Sequence, residues 1–132
     1  MQRSYTRGWG LGQGWALLGL IDLAEYLPKG PAGATDVIAE ALRLARRMLD
    51  FQLPDGNWHC MMHKSLSGPE SSTAALIATA YFRGVHLGLL PVAEFAEPAK
   101  RACRAMEANL DADGNIMGVL AAVMLALVQQ HY

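Results

Sequence analysis

Asp55-Gly56-Asn57 returns 58 residues later as Asp113-Gly114-Asn115, and the two copies share more than this turn. Arg43, Arg46 and Met48 lie upstream of the first copy, and Arg101, Arg104 and Met106 lie at the same offsets upstream of the second. A repeat of this length, read as helix–turn–helix, predicts stacked helical hairpins, because one such unit cannot bury its own apolar face. Five helices, read below, make about two and a half of these helix–turn–helix units.

Working outward from the turns, the apolar pattern predicts five helices and no sheet, an all-α fold in a single domain, 1–132. They fall near 12–27, 35–51, 70–87, 92–109 and 117–130, after an extended lead-in over 1–11. Pro28 and Gly30 stop the first, Thr35 is placed to cap the second, and Pro69 suits the start of the third. The second and fourth are amphipathic. Asp36, Glu40, Arg43, Arg47 and Asp50 give the second a wide solvated face, with Glu40–Arg43 and Arg46–Asp50 expected as pairs worth about 0.2–0.5 kcal/mol each. The first, third and fifth are apolar almost all round; only Asp22 and Glu25 mark the first and Thr79, Arg83 and His86 the third.

An up-and-down bundle would make every helix amphipathic to a similar degree. The alternation fits two layers better, an inner row covered by an outer row. Inner helices then run parallel and gather their N-terminal ends, with their partial positive charge, at one mouth that favours an anion such as a carboxylate.

Two segments lead into that mouth. Trp9-Gly10-Leu11-Gly12-Gln13-Gly14-Trp15 combines glycines, two tryptophans and an amide, which suits a sugar ring with apolar faces and a hydroxylated edge, although glycine-flanked tryptophans are more often packing residues. Trp58-His59-Cys60-Met61-Met62-His63 runs on to Glu70-Ser71-Ser72, whose oxygens can cap the third helix. His59, Cys60 and His63 do not read as a metal site, since no second ligand cluster accompanies them.

The net charge of −1 gives no reason to expect nucleic acid or an anionic membrane surface. The apolar run from Ile116 to Val128 is too short for a membrane span, which takes about 20 residues. The N-terminal residues lack the apolar stretch of an export signal, so Cys60 and Cys103 are expected as reduced thiols in a cytoplasmic protein. No cofactor is implied.

Three segments resemble the unsaturated glucuronyl and unsaturated rhamnogalacturonyl hydrolases of glycoside hydrolase families 88 and 105. Gly12-Gln13-Gly14-Trp15-Ala16 is similar to their Arg-Gly-Asn/Gln-Gly/Ala-Trp segment, with Leu11 where the family carries arginine. Leu53-Pro54-Asp55-Gly56-Asn57-Trp58-His59 is similar to their Pro-Asp-Gly-x-Trp-His turn, and Glu70-Ser71-Ser72-Thr73 with Arg83-Gly84-Val85 to a later helix. The resemblance implies a partial, roughly five-helix piece of a six-hairpin α/α toroid, its C-terminal part.

It further implies an unsaturated uronic-acid oligosaccharide as ligand, whose 4,5 double bond is hydrated after protonation by an aspartic acid. Carried over by matching positions, the substrate-binding residues are Trp9, Gln13, Trp15, His59 and Glu70. The family's catalytic aspartate belongs upstream of the first matched segment, so no catalytic residue is assigned. Three readings follow: a hydrolase that needs a second chain or a missing half, a non-catalytic helical oligomerisation or carbohydrate-binding module, and a poorly folding fragment. The thin polar stripes favour a homo-oligomer, expected as a dimer of half-rings.

Overall fold

The computed structural model describes residues 8–28 and 33–119. Among these, four α-helices form: α1 Gly10–Tyr26, α2 Ala34–Leu49, α3 Ser71–His86 and α4 Val92–Ala108, with a 3-10 turn at Ser65–Ser67. β pairing among the described residues is limited to three isolated antiparallel bridges, Trp9 with Met61, His59 with Pro69 and Leu110 with Ile116. The chain is all-α. Of the expected fifth helix, residues 117–119 are not helical and 120–130 lie outside the described residues. The expected lead-in is also shorter, since Gly10 and Leu11 are already helical.

Helix ends follow local chemistry. Leu27, extended before Pro28, closes α1. α2 starts at Ala34 from Gly33, leaving Thr35 inside the helix and Asp36 in its first turn, where a carboxylate meets the positive end of the macrodipole. Glu70 caps α3 with its side chain. α4 begins after Pro91 and keeps Pro98 in its interior. The buried Pro98 lacks an N–H to donate, while its carbonyl accepts from Gln52 Nε2 at 2.9 Å.

Contacts give the two layers. A Cβ on Gly10 would meet Thr73, one on Gly14 would meet Leu76 and Ile77, and one on Gly84 would meet Ile21. The residue numbers rise together, so α1 and α3 run parallel and side by side. Arg83 of α3 reaches back to Asp22 at 2.7 Å and to Glu25. Asp22 and Glu25 of α1 and Arg83 of α3 thus form one ion-paired seam.

In the second layer, Arg46 pairs with Glu94 at 2.8 Å and Gln52 reaches Pro98, so α2 and its following turn lie along α4. The expected Arg46–Asp50 pair is replaced: Asp50 takes Arg47, because Arg46 faces α4. Glu40–Arg43 forms as expected at 2.9 Å.

An aromatic stack joins the layers. Trp58, Tyr81 and Phe95 are fully buried, with ring centroids 6.3 Å apart for Trp58–Tyr81 and 5.0 Å for Tyr81–Phe95. Both polar tips find α2: Trp58 Nε1 donates to Met48 O at 2.8 Å and Tyr81 Oη to Ala45 O at 2.9 Å. Burial pushes the Tyr81 phenol far above its ordinary range.

The inner helices are less covered than their composition predicts. Trp15 and Tyr26 on α1 are 59% and 78% exposed, and Phe82 on α3 is exposed as well. Trp15, Gly19, Leu23 and Tyr26 recur at helical spacing, so they line one side of α1 that no described element covers.

Removing the Tyr81 hydroxyl leaves the ring stack in place but deletes a buried bond. Tyr81→Phe is expected to destabilise the protein by about 1 kcal/mol. Phe95→Ala, which opens a cavity beside the Tyr81 ring, is expected to cost about 3–5 kcal/mol in a urea titration. Equal losses for the two substitutions would contradict this assignment of the core.

Candidate functional site

Three extended segments cross where α1 and α3 begin. Residues 58–62 run through the middle. Gly10 N donates to Cys60 O at 2.7 Å and Met62 N to Gly8 O at 2.8 Å on one side. On the other side, Cys60 N donates to Gly68 O at 2.8 Å and Glu70 N to Trp58 O at 3.0 Å. One strand-like segment thus pins both N-terminal helix ends together. Gly10 has to be glycine here, since a Cβ would sit 3.0 Å from His59 O and 2.8 Å from Thr73.

Glu70 is buried at this junction and its carboxylate is fully engaged. Oε1 accepts from Ser72 N at 3.1 Å and Ser72 Oγ at 2.6 Å. Oε2 accepts from Thr73 N at 2.8 Å and Thr73 Oγ1 at 2.6 Å. Burial alone would raise its pKa, but the four hydrogen bonds outweigh it and hold the group below its ordinary value. A charged carboxylate also suits the positive end of α3. The arrangement is a built helix cap.

Trp9 and His59 lie beside this cap, and each is half-buried. Trp9 stacks over Gly12, whose missing side chain makes room for the indole. Trp9 Nε1 and His59 Nδ1 are both buried without a hydrogen-bond partner among the described residues. Buried polar atoms in folded proteins are nearly always satisfied, so each of these two calls for a water or other polar partner beyond the described residues. Gln13 is half-buried one turn into α1, its backbone N–H bonded to Trp9 O at 3.0 Å. Trp15 lies on the exposed side of α1. The structure therefore gathers Trp9, His59 and Glu70 at the joined helix ends, with Gln13 a turn away and Trp15 further along.

A second crossing escaped the sequence reading. Ser71 N donates to Gly118 O at 2.9 Å, Ser71 Oγ to Met117 O at 2.8 Å, and Asn109 Nδ2 to Ser71 Oγ at 2.9 Å. Gly118 stands 58 residues after Cys60, so the repeat itself carried the signal.

The aspartates are engaged elsewhere or solvated. Asp22 pairs with Arg83, Asp50 with Arg47, Asp55 with Asn57 and Asp111 with Asn115. Asp36 and Asp113 are exposed. No cluster of three metal-ligating side chains forms among the described residues. Burial raises the Cys60 thiol, with the Glu70 charge adding to it, which leaves it unreactive. No helix among the described residues is long and apolar enough to cross a membrane.

Glu70→Gln removes the charge while keeping the shape of the cap. It is expected to destabilise the protein by about 2–3 kcal/mol at neutral pH, since buried donors lose their charged acceptor. The carboxylate's folded pKa lies below its ordinary 4.5, so its contribution is complete above that value and is lost as pH falls through the folded pKa. Melts of the two proteins should therefore converge in acid. A constant gap down to the lowest pH would refute the charged cap.

Comparison with known proteins agrees with this architecture. The profile of Glycosyl Hydrolase Family 88 matches residues 3–131. A solved structure described as a polysaccharide lyase is 28% identical with a TM-score of 0.82, over 92% of this chain and 35% of its own. A glycosyl hydrolase family 88 protein from Bacteroides vulgatus is 24% identical with a TM-score of 0.82, over 90% of this chain and 35% of its own, a likeness of fold. A family 105 glycoside hydrolase from C. acetobutylicum is 26% identical with a TM-score of 0.71, over 80% and 31%. A search of curated proteins gives no match. The chain spans about a third of the length of the structures it resembles. With nearly its whole length matched and an α/α-toroid architecture in common, this chain belongs to Glycosyl Hydrolase Family 88.

Proposed function

We propose that this chain forms one arc of the substrate mouth of an unsaturated-uronide hydrolase, corresponding to the C-terminal part of the toroid. The observation that carries this reading is the junction of the α1 and α3 N-terminal ends, with Trp9 Nε1 and His59 Nδ1 unsatisfied beside it. The N-terminus of α1 favours a carboxylate, that of α3 being already capped by Glu70, while the indole N–H donates and the imidazole donates or accepts at the hydroxylated edge of a sugar. The ligand is the terminal 4,5-unsaturated uronic acid of a lyase-generated oligosaccharide. Trp9, Gln13, Trp15 and His59 contact it. Glu70 acts by fixing the end of α3, since both its oxygens are engaged by Ser72 and Thr73.

Hydration of that double bond needs a carboxylic acid that protonates the vinyl ether and then recovers its proton from the added water. The resulting hemiketal opens and releases the remaining sugar. None of the described aspartates is placed at the junction, so the acid comes from another chain or from a part of the toroid outside this sequence. The protein works in the cytoplasm as a homodimer of half-rings. The exposed apolar side of α1 favours self-association. A second reading, a non-catalytic carbohydrate-binding or oligomerisation module, is favoured by the engagement of Glu70 in the helix cap.

Incubation with an unsaturated disaccharide separates the two by its ultraviolet absorbance. The chain alone is expected to bind the sugar without bleaching the double bond. Gln13→Ala and Trp15→Ala are expected to weaken binding about ten-fold, the loss of about 1.4 kcal/mol of polar or stacking contact, with unchanged melting. Bleaching by the chain alone would make it a complete enzyme. Loss of stability without loss of affinity would remove both residues from the site.

A further inference from the structure

The 58-residue period governs contacts as well as residues. Leu53 N donates to Asn57 O at 2.8 Å, and Asp111 N to Asn115 O at 2.9 Å. Gly10 N donates to Cys60 O, and Ser71 N to Gly118 O; the acceptors keep the 58-residue period, while the donors are the first residues of α1 and α3. One part of the unit has no second copy among the described residues: the docking of the turn on the next outer helix.

At the first turn that docking is tight. Gly56 has φ 98°, and a Cβ on it would fall 2.3 Å from Arg101 O, so the backbone of α4 lies directly on the turn. Gln52 donates to Gly56 O and Pro98 O and accepts from Arg101 at 2.6 Å. Arg46 holds Glu94 through two hydrogen bonds, at 2.8 and 3.0 Å.

At the second turn every counterpart is present and uncovered. Gly114 has φ 83°, and among the described residues no atom lies within 4 Å of where a Cβ would stand. Leu110, in the place of Gln52, is 48% exposed, and Ile116, in the place of the buried Trp58, is 43% exposed. Arg104, in the place of Arg46, is exposed and has no carboxylate within ion-pair distance among the described residues. Its electrostatic influence falls on Glu97 of its own helix.

The chain itself carries a matching surface. Glu94, Pro98, Arg101 and Ala102 form the edge of α4 that meets α2, and the residues 58 earlier are Asp36, Glu40, Arg43 and Leu44 on α2. Asp36, Glu40 and Arg43 are exposed. Glu40 and Arg43 neutralise each other, while Asp36, the counterpart of Glu94, has no ion-pair partner among the described residues.

We propose that a second copy of this chain docks its α2 on the uncovered edge formed by α4 and residues 110–116, with Asp36 of that copy pairing with Arg104 as Glu94 pairs with Arg46. The contact is head-to-tail, so each copy offers both edges and the assembly closes into a ring when the rotation permits. It rests on the self-association proposed above and assigns its contact to the α2 and α4 edges rather than to the exposed side of α1.

Sedimentation velocity over a concentration series on the whole 132-residue chain tests this. The wild type is expected to self-associate. Arg104→Glu and Asp36→Arg are each expected to weaken association at least about ten-fold, because each sets like charges opposite one another. The double variant restores the pair with its sense reversed and is expected to recover association. Leu110→Glu, which places a charge at the apolar part of the edge, should weaken it independently. All three substituted positions are solvent-exposed, and circular dichroism melts confirm folding of each variant. An oligomer indifferent to all these changes would overturn the edge assignment while leaving self-association intact. A monomer throughout the series would overturn both.

Discussion

The passage of residues 58–62 between the starts of α1 and α3 is the constraint on which the rest of the structure depends. Four backbone hydrogen bonds, two to each side, satisfy amides and carbonyls that helix ends would otherwise leave without partners. Because the segment is extended, it holds the two helix ends at a fixed spacing. That fixes α1 parallel to α3, and the Gly10–Thr73 and Gly14–Ile77 approaches follow along the seam. The Arg83 ion pairs with Asp22 and Glu25 then close the far end.

The same segment connects site to core. Trp58 projects into the aromatic stack and donates to Met48 O, while His59, the next residue, lies at the junction with an unsatisfied Nδ1. Neighbouring residues on an extended backbone point to opposite sides, so burying one positions the other. Stability and the candidate site are thereby coupled through a single peptide. Glu70 plays a parallel part for α3: its hydrogen bonds to Ser72 and Thr73 fix the helix end, and the helix end shapes the mouth.

Much of this was legible beforehand because it depends on local chemistry. The Asp-Gly-Asn turns, the helix-stopping Pro28, the cap at Glu70 and the alternation of apolar and amphipathic helices are all written in residue types at short spacing. The errors have physical causes too. Arg46 was expected to pair along its own helix, but a parallel neighbour brought Glu94 within reach. α1 was expected to be buried nearly all round, yet Trp15 and Tyr26 are solvent-facing because no described element packs on that side.

The sequence by itself determined the repeat, the all-α class and the pairing of an outer helix with a following turn, since periodicity and turn chemistry act over a few residues. Only the tertiary structure decided what the 58-residue echo holds together. It showed that Cys60 and Gly118 close equivalent helix ends, that Gly56 is covered by α4 and that Gly114 is open. Those distinctions arise between segments far apart in the chain, where identical residues acquire different neighbours. The two copies of the turn share a conformation, but packing against the next helix gives one a structural role and leaves the other exposed.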